Sequence, residues 1–104
     1  MSRPEIGGER DIQEIAKAFQ ESRVLLSAFE LGVFTALGLE GLGSEEAAER
    51  LGADPRGLDR LLNALAALGL VRKDGGLFRN TEAAETFLNA KSPRYLSGLA
   101  HTAN

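Results

Sequence analysis

Residues 44–69 read SEEAAERLGADPRGLDRLLNALAALG, and this stretch decides the fold. Ser44 stands where a helix N-cap is wanted, with Glu45 and Glu46 placed to favour the positive end of the helix dipole. Ala47, Ala48 and Leu51 supply a short apolar face, and Gly52 is the expected left-handed stop. Asp54-Pro55 then opens a second helix with an N-cap oxygen and a proline at the first helical position. Leu58, Leu61, Leu62, Leu65 and Leu68 recur at spacings of three and four, and Gly69 ends the run. Helices joined only by Gly52 to Asp54 predict a helix-turn-helix.

Downstream, residues 70–80 predict a β-hairpin, because Asp-Gly favours the positive backbone angles of a type I′ turn. A loop at Asp74-Gly75 pairs Val71 with Phe78 on one face and Arg72 with Leu77 on the other, and is preferred to a Gly75-Gly76 loop for burying Val71 and Phe78 together. Thr81 is expected to cap a helix with Ala84, Phe87 and Leu88 inward, and Ser92-Pro93 a last one leading through Tyr95, Leu96 and Leu99.

Upstream, Ile12, Ile15, Ala16 and Phe19 form one stripe of an amphipathic helix that begins near Glu9. After Arg23 the apolar residues Val24, Leu25, Leu26, Ala28, Phe29, Leu31, Val33, Phe34, Ala36 and Leu37 surround the helical wheel. Such a helix needs neighbours on several sides, and in so small a chain a second copy is a candidate to provide some of them. Gly32 is expected to break the run, leaving a short helix that ends at Gly38. The loop Gly38 to Gly43 lacks the G-x-G-x-x-G order and follows a helix, so it is read as a plain loop rather than a phosphate cradle. The expected architecture is mainly α: a winged helix-turn-helix with an N-terminal helical extension and one small β-hairpin, residues 1–8 forming a flexible tail and 9–104 the domain.

Composition narrows function. At 104 residues the chain is too short for a doubly wound nucleotide-binding domain or a barrel enzyme, although 43% hydrophobic and 26% charged residues are ordinary for a folded domain. Cysteine is absent and His101 is the single histidine, so neither a metal site nor a thiolate nucleophile is implied. No apolar stretch reaches membrane-spanning length and the start lacks an apolar signal core, which makes a soluble cytoplasmic protein the default.

Two functions compete for a winged helix. As a DNA-binding regulator, Arg56, Arg60 and Asn63 on the second helix and Arg72, Lys73 and Arg79 on the hairpin would make the contacts. Against this stand a net charge of -3, Asp59 among the outward positions of that helix, and the plainer reading of the hairpin cations as a solvated surface. The alternative is a structural and dimerisation module, with a simple protein-interaction adaptor as a third reading.

Four stretches carry a resemblance: Arg23 to Leu37, Glu46 to Gly52, Asp54 to Val71 and Phe78 to Leu88. Taken in order, they resemble the N-terminal dimerisation domain of S-adenosylmethionine-dependent O-methyltransferases of the plant caffeate and bacterial hydroxyindole type, over about Asp11 to Leu99. The resemblance implies a homodimer with interlocking N-terminal helices, Ile12, Ile15, Phe19, Leu25, Leu26 and Phe29 being the residues expected to cross the interface. It also implies a larger parent that uses S-adenosylmethionine and a small-molecule substrate, with cofactor fingerprint and catalytic base in a following α/β domain. Catalytic, cofactor and metal residues are thus expected to be absent from this chain, nucleic acid and membrane are not expected partners, and His101 is read as a tail residue. Phe19, Ser22 and Phe29 are candidate pocket-wall or interface residues.

Overall fold

A computed structural model describes residues 5–99; residues 1–4 and His101, on which the tail and histidine readings fall, lie outside the described residues. Helix α1 runs Glu9–Leu31 and α2 Val33–Leu37. Gly32 separates them at φ 85°, a left-handed conformation that a side chain disfavours, and its N–H closes α1 onto the Ala28 and Phe29 carbonyls. Helices α3 (Ser44–Leu51) and α4 (Pro55–Ala67) form the helix-turn-helix, strands β1 (Val71–Asp74) and β2 (Leu77–Asn80) the wing, and α5 (Glu82–Leu88) follows. Phe34, Phe78, Leu62, Leu65 and Val33 are the largest fully buried side chains, so α2, α4 and the wing share one core.

The local signals behave unevenly. Asp54 caps α4 as expected, its Oδ2 accepting from the Gly57 N–H at 2.8 Å, and Thr81 caps α5 through the Ala84 N–H at 3.3 Å. Ser44 does not cap α3: Gly43 takes that place, and the Ser44 hydroxyl donates to Asp59 Oδ1 at 2.5 Å, tying α3 to α4.

The expected hairpin register is corrected. Val71 pairs with Asn80 and Lys73 with Phe78, which places Gly75 and Gly76 in the turn at φ 58° and 86°. A type I′ turn wants positive φ at both central residues, and a glycine pair meets that more easily than Asp74 followed by glycine. Because the register moves by two residues, sidedness is kept, and Val71 and Phe78 still face the core at 3% and 1% exposure.

The Gly38 to Gly43 loop adds a strand-like edge to the wing. Leu42 exchanges backbone hydrogen bonds with Phe78, at 3.0 and 2.8 Å, and the Asn80 N–H donates to the Gly38 carbonyl at 2.9 Å. Gly41 is needed there: at φ +88°, a Cβ would lie 2.9 Å from the Phe78 carbonyl oxygen. The helix expected from Ser92-Pro93 is also corrected. Residues 90–98 form turns and irregular backbone instead, in which the Ser92 hydroxyl donates to the Thr86 carbonyl and the Leu96 N–H to the Phe87 carbonyl.

Candidate functional site

Every residue of α1 from Glu9 to Gln20 is exposed, and Glu21 is the first that is not fully so. At 3.6 residues per turn, Ile12, Ile15, Ala16, Phe19 and Arg23 lie along one stripe. Ile12 is 60%, Ile15 42% and Phe19 61% exposed, a row of large apolar side chains with no cover among the described residues. Ala16, Phe19, Gln20, Arg23 and Val24 line an open groove, in which the Arg23 guanidinium sits 5.8 Å from the Phe19 ring centroid. Burying each large side chain of such a row is worth ~1.5–3 kcal/mol, enough to drive association once ordering costs are met.

The second half of α1 behaves differently. Leu25 and Leu26 are half-buried, and Leu25 borders a groove with Glu21, Ser22, Leu68 and Leu70. Phe29 is only 7% exposed and stacks on Tyr95 with ring centroids 5.3 Å apart. Ala28, Val33, Phe34 and Leu37 are likewise buried by their own chain. The run that surrounds the helical wheel therefore finds its cover largely at home, and the uncovered face lies upstream of it. Of the six residues expected at an interface, Ile12, Ile15 and Phe19 form the exposed patch, Leu25 and Leu26 stand at its inner end, and Phe29 belongs to the core. Arg23 was missed by the sequence reading, although its spacing of four from Phe19 was the available signal.

The residues of the DNA-binding reading do not make one free basic surface. Lys73 Nζ donates to Asn63 Oδ1 at 3.1 Å, and Asn63 Nδ2 donates to the Asp59 carbonyl at 2.8 Å, so both side chains serve the join between wing and α4. Arg79 pairs with Asp74 at 3.2 Å and stands opposite Arg72 in the ladder. Arg56 and Arg60 are exposed, but they share their cleft with Glu45 and Asp59, whose carboxylates repel phosphate.

Among the described residues there is no cluster of metal-ligating side chains, and no helix is long and apolar enough to cross a membrane. The backbone pairing of Leu42 closes the Gly38 to Gly43 loop onto the wing, and the Gly38, Gly41 and Leu42 amides donate to the Phe34, Leu37 and Phe78 carbonyls.

The O-methyltransferase dimerisation domain matches residues 13–90, most of the chain. The chain is 41% identical over 100 residues to the tetracenomycin polyketide synthesis 8-O-methyl transferase TcmO of Streptomyces glaucescens, covering 95% of this chain and 30% of that protein. It is 43% identical over 89 residues to the acetylserotonin O-methyltransferase of Bos taurus, covering 80% of this chain and 26% of that one. The crystal structure of human N-acetylserotonin methyltransferase in complex with SAM superposes with a TM-score of 0.80 at 31% identity, over 100% of this chain and 32% of that chain. The chain thus spans less than a third of the length of these relatives.

Proposed function

The chain belongs to the O-methyltransferase dimerisation-domain family, and from that premise we propose that it is the homodimerising, substrate-pocket-wall module of a small-molecule O-methyltransferase that uses S-adenosylmethionine. The observation that carries this reading is the uncovered apolar row Ile12, Ile15 and Phe19 on a helix that projects from an otherwise closed core. A second copy presenting the same row satisfies both, in a two-fold interface of the isologous kind. Leu25 and Leu26 extend that surface toward the body, and Phe29 supports it from within through its stack on Tyr95.

The chemistry belongs to the parent enzyme. A base there would remove a proton from the acceptor hydroxyl and S-adenosylmethionine would supply the methyl group, so orientation and deprotonation would dominate. This module contributes symmetry and a wall, with Ser22 and the α1 surface beside it as the wall candidates. Its place is the cytoplasm, with neither membrane nor nucleic acid as partner.

Light scattering of the purified chain tests the proposal, with twice the chain mass expected. Calorimetric titration with S-adenosylmethionine should give no binding heat at micromolar cofactor, because no glycine-rich strand-to-helix turn lies among the described residues. A monomeric mass combined with sequence-selective retention of a DNA fragment, lost in Arg56→Ala/Arg60→Ala, would overturn the proposal in favour of a winged-helix regulator.

A further inference from the structure

The exposed stripe of α1 carries charge as well as apolar surface. Glu9 borders the stripe at its outer end, Arg23 closes it at the inner end, and neither has an ion-pair partner among the described residues. Glu30, seven residues beyond Arg23, returns to the same side of the helix and is also exposed. Arranged in parallel, two copies of this stripe would set Glu9 level with Glu9, Arg23 level with Arg23 and Glu30 level with Glu30, so none of these carboxylates would lie level with the guanidinium of the stripe. Opposite charges brought together at the edge of an apolar seam fix its register. Reversal of one copy brings the two signs together. Turning about the midpoint between Ile15 and Ala16 exchanges Ile12 with Phe19 and brings Glu9 within one residue of the level of Arg23.

Sterics favour the same solution. The body packs on α1 only from Glu21 onward, so parallel arms would crowd both bodies at one end of the seam, whereas reversed arms place them at opposite ends. From Glu9 to Arg23 the arm is about 21 Å long at 1.5 Å per residue, room for the apolar layers between the bodies.

Resting on the reading of this face as a homodimer surface, we propose that the two copies pair their α1 arms antiparallel, with Ile12 opposite Phe19 of the second copy and Glu9 beside its Arg23. In an antiparallel pair the same flank of each helix meets, which is why Glu9 and Arg23, both on the Ala16 side of the stripe, are suited to each other. Arg23 also keeps its place over the Phe19 ring, closing the seam at both ends.

Absence of cysteine makes the test direct. Ile12→Cys and Phe19→Cys chains are prepared separately, mixed, and oxidised mildly. The mixture should give a disulfide-linked mixed dimer, while each variant alone remains uncrosslinked, its like positions being about 10 Å apart along the seam. A self-crosslink of either variant alone would overturn the antiparallel register and leave the dimer standing. So would a wild-type dimer with no crosslink in any combination. A wild-type chain that sediments as a monomer would remove the homodimer reading itself. Where the cysteine variants associate poorly, charge exchange supplies the second measurement. Glu9→Arg and Arg23→Glu should each raise the dimer Kd by roughly two- to tenfold, and the double variant should return it to about the wild-type value. A double variant no better than its worse parent would contradict the pairing.

Discussion

The outer half of α1 and the stretch from Ala28 through α2 carry similar apolar loads in opposite surroundings. Between Glu9 and Gln20 the row Ile12, Ile15 and Phe19 stands in solvent, whereas beyond Ala28 the residues Phe29, Val33 and Phe34 are enclosed by α4, the wing and α5. Periodicity announces that a face will be buried, and it does not say by whom. The stretch that is apolar all round looked the more dependent on a second copy, but it is the one its own chain covers. A single amphipathic stripe at the end of a projecting arm has no internal neighbour to meet, and its cover has to come from outside.

The largest expected effect lies in the enclosed stretch. Phe34→Ala, at a site 1% exposed, should cost about 3–5 kcal/mol of folding stability in urea unfolding, since the cavity cannot be filled by neighbours already packed. Next is Gly41→Ala, which adds a Cβ 2.9 Å from the Phe78 carbonyl oxygen at a positive φ and should cost about 1–3 kcal/mol on the same measurement. Phe19→Asp, measured at dilutions where the chain is monomeric, should change folding by less than about 0.5 kcal/mol, as expected of an exposed position. A loss there comparable to that of Phe34→Ala would abolish the contrast, because Phe19 would then be covered at home. Arg72→Glu on the wing should leave both folding and association within about 0.5 kcal/mol, which thermal unfolding and light scattering can check together.

Helix order and the helix-turn-helix were legible because their signals are local and redundant. Asp54 and Pro55 fix one helix start, and Gly32, Gly52 and Gly69 occupy the left-handed stops that only their type adopts cheaply. Pairing was less legible. The hairpin slipped by two residues because parity alone cannot separate registers that keep the same faces, and the deciding contacts are remote. Asn80, 2% exposed, donates to the Phe34 carbonyl at 2.8 Å and to Glu85 at 2.9 Å, which anchors β2 beneath α2 and α5. Nothing near Asn80 in the sequence announces that partner. Leu42 is a comparable case, since a single bridging residue has no periodicity to read. Ser44 and Ser92 show the weakness of capping signals taken alone: both hydroxyls donate to more distant acceptors, Asp59 and the Thr86 carbonyl. For the candidate surface, the stripe itself was visible, whereas the half-burial of Leu25 and Leu26 and the burial of Phe29 against Tyr95 needed the fold.

The claim that the uncovered arm is the dimer surface is tested most directly by sedimentation equilibrium of the wild-type chain and Phe19→Asp over a dilution series. The wild type should dissociate reversibly from dimer to monomer on dilution. Phe19→Asp should raise the dimer Kd by roughly a hundredfold or more, as expected when a charge is desolvated at the centre of an interface, while its helical circular dichroism is unchanged. A wild-type chain that stays a folded monomer at high concentration, or a Phe19→Asp chain that dimerises as tightly as the wild type, would contradict it.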